Sequence, residues 1–178
     1  MAKQKVVSSK TIFKAKLFQI EELHMDIPEN AVFHQVNGNA TVLVLPLTDK
    51  YELYLIDQYR FMFSKHVMGA IAGYIDDGEN ALQAAKRELL EEAGIEAGQL
   101  ELIAKLENSR SVIHSTVYIF LAKNLEVGKA NPEEDEEITL VKLSLSDAVK
   151  KVLSGEIYHT ASIAGILLLD KLKSIKRI

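Results

Sequence analysis

The sequence contains no cysteine. That excludes a disulfide scaffold, a Cys-ligated zinc or iron–sulfur centre, and a cysteine nucleophile. It also lacks any apolar run near the ~20 residues that a membrane-spanning helix requires. The longest, Ile163 to Leu169, belongs to a short C-terminal amphipathic segment. The start, Met1 to Lys10, is polar and basic with no apolar stretch behind it, so no secretory signal is visible. A cytoplasmic location with no membrane partner is therefore expected. Nor is there a basic excess. Lys and Arg total 21 against 25 Asp and Glu, a net charge of -4, which argues against a nucleic-acid partner. Internal repeats and low-complexity linkers are absent as well. What remains is 178 residues, 48% hydrophobic and 26% charged. This is the composition of one globular domain, or of one domain with a small appendage.

Hydrophobic patterning predicts strands first. Thr11 to Ile27 reads as one or two strands, and Ala31 to Val36 as another, closed by Asn37-Gly38-Asn39. Thr41 to Leu47 is continuously apolar, as expected of a strand buried on both faces. Thr48-Asp49-Lys50 predicts a hairpin turn with Glu52 to Tyr59 as the returning strand, and Arg60 to Met68 reads as irregular. A glycine-punctuated segment, Gly69 to Gly78, precedes a strong helix from about Asn80 to Ala93. Leu100 to Leu106, Val112 to Lys123 and Ile138 to Leu143 read as further strands. Ser146 and Thr160 are the expected N-caps of two closing helices, with Gly155 ending the first of them. Regular βαβ alternation is missing. A mixed sheet flanked by helices is expected in preference to a doubly wound parallel sheet.

The helix starting near Asn80 concentrates the chemistry. At roughly 100° per residue, Leu82, Ala85, Leu89 and Ala93 share a predicted core face. Glu88 and Glu92 fall on an adjoining face, with Glu91 on its flank and Ala81 and Ala84 leaving room beside them. Three carboxylates thus crowd one turn near the helix C-terminus, where the macrodipole disfavours negative charge. Two carboxylates ~5 Å apart repel by roughly 3 kcal/mol at an effective dielectric of 20. Lys86 and Arg87 are the nearby cations, and a surface ion pair returns only ~0.2–1 kcal/mol. A divalent cation with oxygen ligands would neutralise such a cluster. The alternative is a solvated acidic face, the usual fate of an isolated charge run.

The spacing around these acids decides between the two. Gly73, Glu79, Arg87-Glu88-Leu89, Glu91-Glu92 and Gly94-Ile95 stand at the fixed positions of a 23-residue signature, residues 73 to 95. The chain resembles the Nudix hydrolases at every fixed position of that box. The resemblance implies an α/β (α+β) fold, a Nudix α/β/α sandwich with a mixed central sheet. It also implies Glu88 and Glu92 as principal metal ligands, with Glu91 as a further ligand or a supporting group. Arg87 would hold these carboxylates by pairing with Glu79 or Glu91, and the backbone carbonyl of Ala72 would join the metal shell. The implied cofactor is Mg2+, with Mn2+ a possible substitute.

Outside the box, Asp57-Gln58-Tyr59-Arg60, Ala72 to Glu79, Asp135 to Ile138 and Ser154-Gly155-Glu156-Ile157 are similar to the ADP-ribose pyrophosphatase and nucleotide-sugar branch. The implied substrate is a small nucleoside diphosphate derivative, and the implied products are a nucleoside monophosphate and a sugar phosphate. Residues 1–40 resemble that branch's extra antiparallel β-element, which implies a homodimer, with 41–178 as the hydrolase domain. Arg60 would contact the diphosphate or a terminal sugar phosphate, a task to which the guanidinium fork is suited. From the acidic run 133–137, either Glu134 or Glu136 would be the general base, and Glu136 could also bind metal. The branch commonly carries Glu-Leu-Pro-Ala-Gly where this chain reads Gly69-Ala70-Ile71-Ala72-Gly73. It also has a Pro-Gly where this chain reads Asn108-Ser109-Arg110-Ser111, so Arg110 could supply a substitute cation for substrate. His114, alone on a strand, reads as structural. Phe13, Phe18 and Phe33 could stack on a base or fill a core. Two other readings remain open at this stage: a Nudix hydrolase of nucleoside triphosphates, dinucleoside polyphosphates or capped RNA, and a non-catalytic nucleotide sensor.

The charge distribution agrees with two acidic segments meeting at cations. Residues 73–95 carry a net -4 and residues 133–137 a net -5, which leaves +5 on the rest of the chain. That remainder suits an anionic small molecule.

Overall fold

The structure, a computed structural model, describes residues 5–26, 31–108, 112–131 and 137–178. Its contacts divide the chain into one unit of residues 1–40 and 107–117 and another of residues 41–106 and 118–178. The first unit is a sheet of β1 (Val6–Lys14), β2 (Phe18–Met25), β3 (Val32–Gly38) and β9 (Ile113–His114), in that order. Its first three strands pair antiparallel, and β9 joins β3 in parallel. The predicted strand or strands from Thr11 are therefore two, and the first begins at Val6.

The second unit holds β4 (Thr41–Pro46), β5 (Glu52–Arg60), β6 (Lys65–Gly69), β7 (Ile71–Tyr74), α1 (Ala81–Ala93), β8 (Ile95–Glu107), β10 (Thr116–Val127), β11 (Ile138–Ser144), α2 (Leu145–Leu153) and α3 (Thr160–Ser174). Two sheets form, ordered β7-β4-β10-β8 and β11-β5-β6. Strand β4 explains the layering. Its side chains alternate faces, and Val42 to Leu45 are all fully buried. Val42 and Val44 pack with Ala84, Ala85 and Leu89 of α1. Leu43 and Leu45 instead meet Gly165 of α3. A strand apolar on both faces thus lies between two helices, which gives the expected mixed α+β sandwich.

Four local expectations are corrected. Residues 65–69 form β6, which pairs antiparallel with β5 from Ile56↔Gly69 to Arg60↔Lys65. The turn at 48–50 forms, with the Thr48 N–H donating to the Glu52 carbonyl at 2.9 Å. Pairing nevertheless stops at Leu47↔Leu53, and β4 and β5 enter different sheets. Helix α2 is capped by Ser144 rather than Ser146, since Ser144 Oγ accepts the Asp147 N–H at 3.1 Å. Helix α3 begins after His159, and no side chain caps it. Among the described residues, no helix is long and apolar enough to cross a membrane.

Candidate catalytic site

The site is built where β7 runs into α1. Asn80 starts the helix because its Oδ1 accepts the Leu82 and Gln83 N–H groups, both at 3.0 Å. Gln83 Oε1 in turn accepts the Asn80 N–H at 2.9 Å, completing a capping box. At the other end, Gly94 adopts φ +62° and donates to the Leu90 carbonyl at 2.9 Å. A left-handed residue ends a helix with little cost only when it is glycine.

The buried stripe of α1 differs from the predicted one. Ala84, Ala85, Leu89, Glu92 and Ala93 are buried, whereas Leu82 is 43% exposed. On a wheel of roughly 100° per residue this stripe centres on Ala85, with Glu92 about 20° away, and the exposed Leu82 belongs to the first turn. The acidic face and the core face therefore overlap, and Glu92 is only 4% exposed. A carboxylate so placed must be hydrogen-bonded. Its Oε2 accepts the Ala72 N–H from β7 at 3.0 Å.

Glu88 faces the same strand. A β-carbon on Gly73 would overlap its carboxylate, so only glycine lets β7 pass this close. Arg87 gathers the remaining acids. Its Nε and one terminal nitrogen donate to the two oxygens of Glu79 at 3.1 and 3.0 Å. The other terminal nitrogen donates to Glu88 at 2.6 Å and to Glu91 at 3.1 Å, while the Tyr74 carbonyl accepts at 2.8 Å from the terminal nitrogen that binds Glu79. The bond to Glu79, followed by those to Glu88 and Glu91, holds the guanidinium charged far beyond its ordinary range. The same bond to Arg87 lowers the Glu79 pKa against the opposing effect of burial. Sequence reading left the partner of Arg87 open between Glu79 and Glu91. It pairs with both, and with Glu88 as well.

Among the described residues, no group of three or more His, Asp or Glu side chains is gathered as a cation would require. Glu88 and Glu91 are turned towards Arg87. The donor set still suits a hard divalent cation, because every candidate ligand is an oxygen. The close approach of Gly73 also keeps the Glu88 carboxylate against β7. Glu134, Glu136 and Arg110 lie outside the described residues. Glu137, next in sequence, is joined to β5 by the Tyr59 N–H, which donates to its carbonyl at 3.2 Å.

A cavity of about 480 Å³ opens beside this clasp. The period-two register of β5 turns Ile56, Gln58 and Arg60 towards it, and β7 contributes Ala72. Arg60 thus shares a cavity with the residue whose amide holds Glu92. Tyr158, His159 and Ser162, at the start of α3, line the opposite part. Sequence reading missed His159 and Ser162. They belong to no motif, and only the packing of α3 brings them beside β5 and β6.

The chain as a whole is similar to known proteins. Residues 38–160 match the family model described as NUDIX domain. The chain is 29% identical over 159 residues to an ADP-ribose pyrophosphatase of Bacillus subtilis (strain 168), covering 87% of this chain and 86% of that one. It is 24% identical over 177 residues to a methanol dehydrogenase activator of Bacillus methanolicus, covering 97% and 96% respectively. A crystal structure of an ADP compounds hydrolase has the same fold, with a TM-score of 0.81 at 24% identity, covering 100% of this chain and 98% of that one. The chain belongs to the NUDIX domain family. It is a hydrolase acting on pyrophosphate bonds.

Proposed function

We propose that the protein is a cytoplasmic, Mg2+-dependent pyrophosphohydrolase of ADP-ribose or a related nucleoside diphosphate sugar. The products are a nucleoside monophosphate and a sugar phosphate. The observation that carries this reading is the clasp between β7 and α1. Ala72 fixes Glu92 and Gly73 admits Glu88, so two carboxylates one helical turn apart are held against one strand.

Glu88, Glu92, Glu91, the Ala72 carbonyl and Glu136 would hold the cation. When bound, it supplies neutralising charge for the diphosphate and acidifies the attacking water. Arg87 keeps the carboxylates from drifting apart when no cation is present. Arg60 binds phosphate oxygens from the cavity side. Glu134 or Glu136 accepts the proton of the water. Comparing Glu134→Gln with Glu136→Gln separates these two, since the base variant loses kcat while substrate binding stays near normal.

The protein works as a homodimer through its first unit. Exposed Val7, Phe13, Phe33 and Ile113 on that sheet support this reading. Light scattering should give twice the chain mass, and Phe13→Glu with Phe33→Glu should give the monomer.

The substrate class is tested with a panel of ADP-ribose, GDP-mannose, UDP-glucose and ATP at fixed Mg2+. The expected result is release of a nucleoside monophosphate from at least one nucleotide sugar, at a kcat/KM well above that for ATP. Preference for ATP would overturn the reading.

A further inference from the structure

The cavity beside the clasp has a wall with its own chemistry. Its charged member is the Arg60 cation, and among the described residues no carboxylate lines it. Ser162 is fully buried. Its Oγ accepts the Ala70 N–H at 3.1 Å and lies 3.0 Å from His159 Nδ1. A buried hydroxyl needs an acceptor for its own proton. Among the described residues the hydroxyl has no other partner, and donation to Nδ1 is the arrangement that satisfies that proton. The imidazole is then neutral, with its proton on Nε2. Burial, and after it the positive charge of Arg60, lowers the His159 pKa, in agreement with a neutral ring.

Gly69 permits this arrangement. A β-carbon there would stand 3.2 Å from Ser162 Oγ. The bare backbone at Gly69 thereby seats Ser162 against β6. The first amides of α3, which no side chain caps, lie at the same end.

We propose that this cavity holds the phosphorylated sugar half of the substrate, with His159 Nε2–H and Arg60 donating to its phosphate oxygens. Ser162 is the positioning residue that fixes the imidazole. A wall whose described residues offer a cation and neutral donors, and no carboxylate, suits a group rich in acceptors. A volume of about 480 Å³ is within the usual range for a small-molecule site. The Phe63 and Tyr158 rings, perpendicular with centroids 5.9 Å apart, supply the apolar side. The proposal rests on the pyrophosphohydrolase reading, because only that chemistry generates a sugar phosphate beside Ala72.

The test is calorimetric titration of the metal-free full chain with ribose 5-phosphate, with ribose as the uncharged comparator. Wild type should bind the phosphate at least about tenfold tighter than ribose, and His159→Phe should lose about tenfold or more. His159→Gln, whose amide nitrogen reaches near the Nε2 position, should retain most of the affinity. Ser162→Ala should weaken binding, and its imidazole 15N signals should move from one tautomer to a mixture. Unchanged affinity in a folded His159→Phe variant would overturn the proposal, and so would an Nδ1–H tautomer in wild type. Binding through His159 without turnover of any nucleotide sugar would uphold the pocket assignment and remove the substrate reading. Turnover without any ribose 5-phosphate binding would do the opposite.

Discussion

The α-carbon of Gly73 lies so close to the Glu88 carboxylate that a β-carbon there would overlap three of its atoms. Glu88 cannot simply yield. Its side chain is 12% exposed and is bonded to Arg87 at 2.6 Å. Gly73→Ala should therefore displace the carboxylate by about 1 Å, a misplacement that can cost ~100-fold in rate. Overpacking of this kind typically costs about 1–3 kcal/mol of stability. Measuring kcat/KM beside the denaturation midpoint separates the two effects. A wild-type rate in this variant would show that Glu88 has no part in turnover.

The Arg87–Glu79 pair makes a pH prediction. The folded pKa of Glu79 lies below its unfolded value of 4.5, chiefly because Arg87 donates to it. A depressed carboxylate contributes stability that is complete above the unfolded pKa and is lost as pH falls through the folded one. Glu79→Gln should thus be less stable than wild type at neutral pH, and the gap should close as pH falls below 4.5 and through the folded pKa. Thermal melts from pH 7 to pH 3 test this. A gap that stays constant with pH would remove the ion pair as its cause.

Two glycines share a left-handed backbone but not its surroundings. Gly78 has φ +84° with nothing within 4 Å of a built β-carbon. Gly94 has φ +62°, and its β-carbon would strike the backbone of Lys129 and Ala130. Gly78→Ala should cost about 1 kcal/mol, the penalty of the conformation alone. Gly94→Ala should cost more than that, because a second chain segment must also move. Denaturant midpoints of the two variants check the ranking.

Local chemistry made part of this site legible before any coordinates. The helix start near Asn80, and Gly94 at the far end, mark α1 through preferences that act within a few residues. The two-faced apolar run of β4 likewise announces a strand between layers. Other features depend on partners distant in sequence. Strand β6 is short and partly exposed, and only pairing with β5 defines it. Leu82 shares the buried side of the helical wheel, yet in the first turn of α1 it is exposed, whereas Glu92 is buried within the stripe. That burial is tolerable only because the Ala72 amide meets the carboxylate, and no periodicity in α1 encodes that contact. His159 and Ser162 depend on the docking of α3, and a sequence motif does not mark them.

The central claim is that Glu92 holds a cation needed for hydrolysis. The direct measurement compares the Mg2+-dependent rate of wild type and Glu92→Gln on the preferred nucleotide sugar. Gln keeps an oxygen for the Ala72 N–H, so the fold and melting temperature should survive. The rate should fall by more than the ~10–100-fold seen when groups supporting a metal ligand are lost. A folded Glu92→Gln variant with near-normal kcat at saturating Mg2+ would contradict the account.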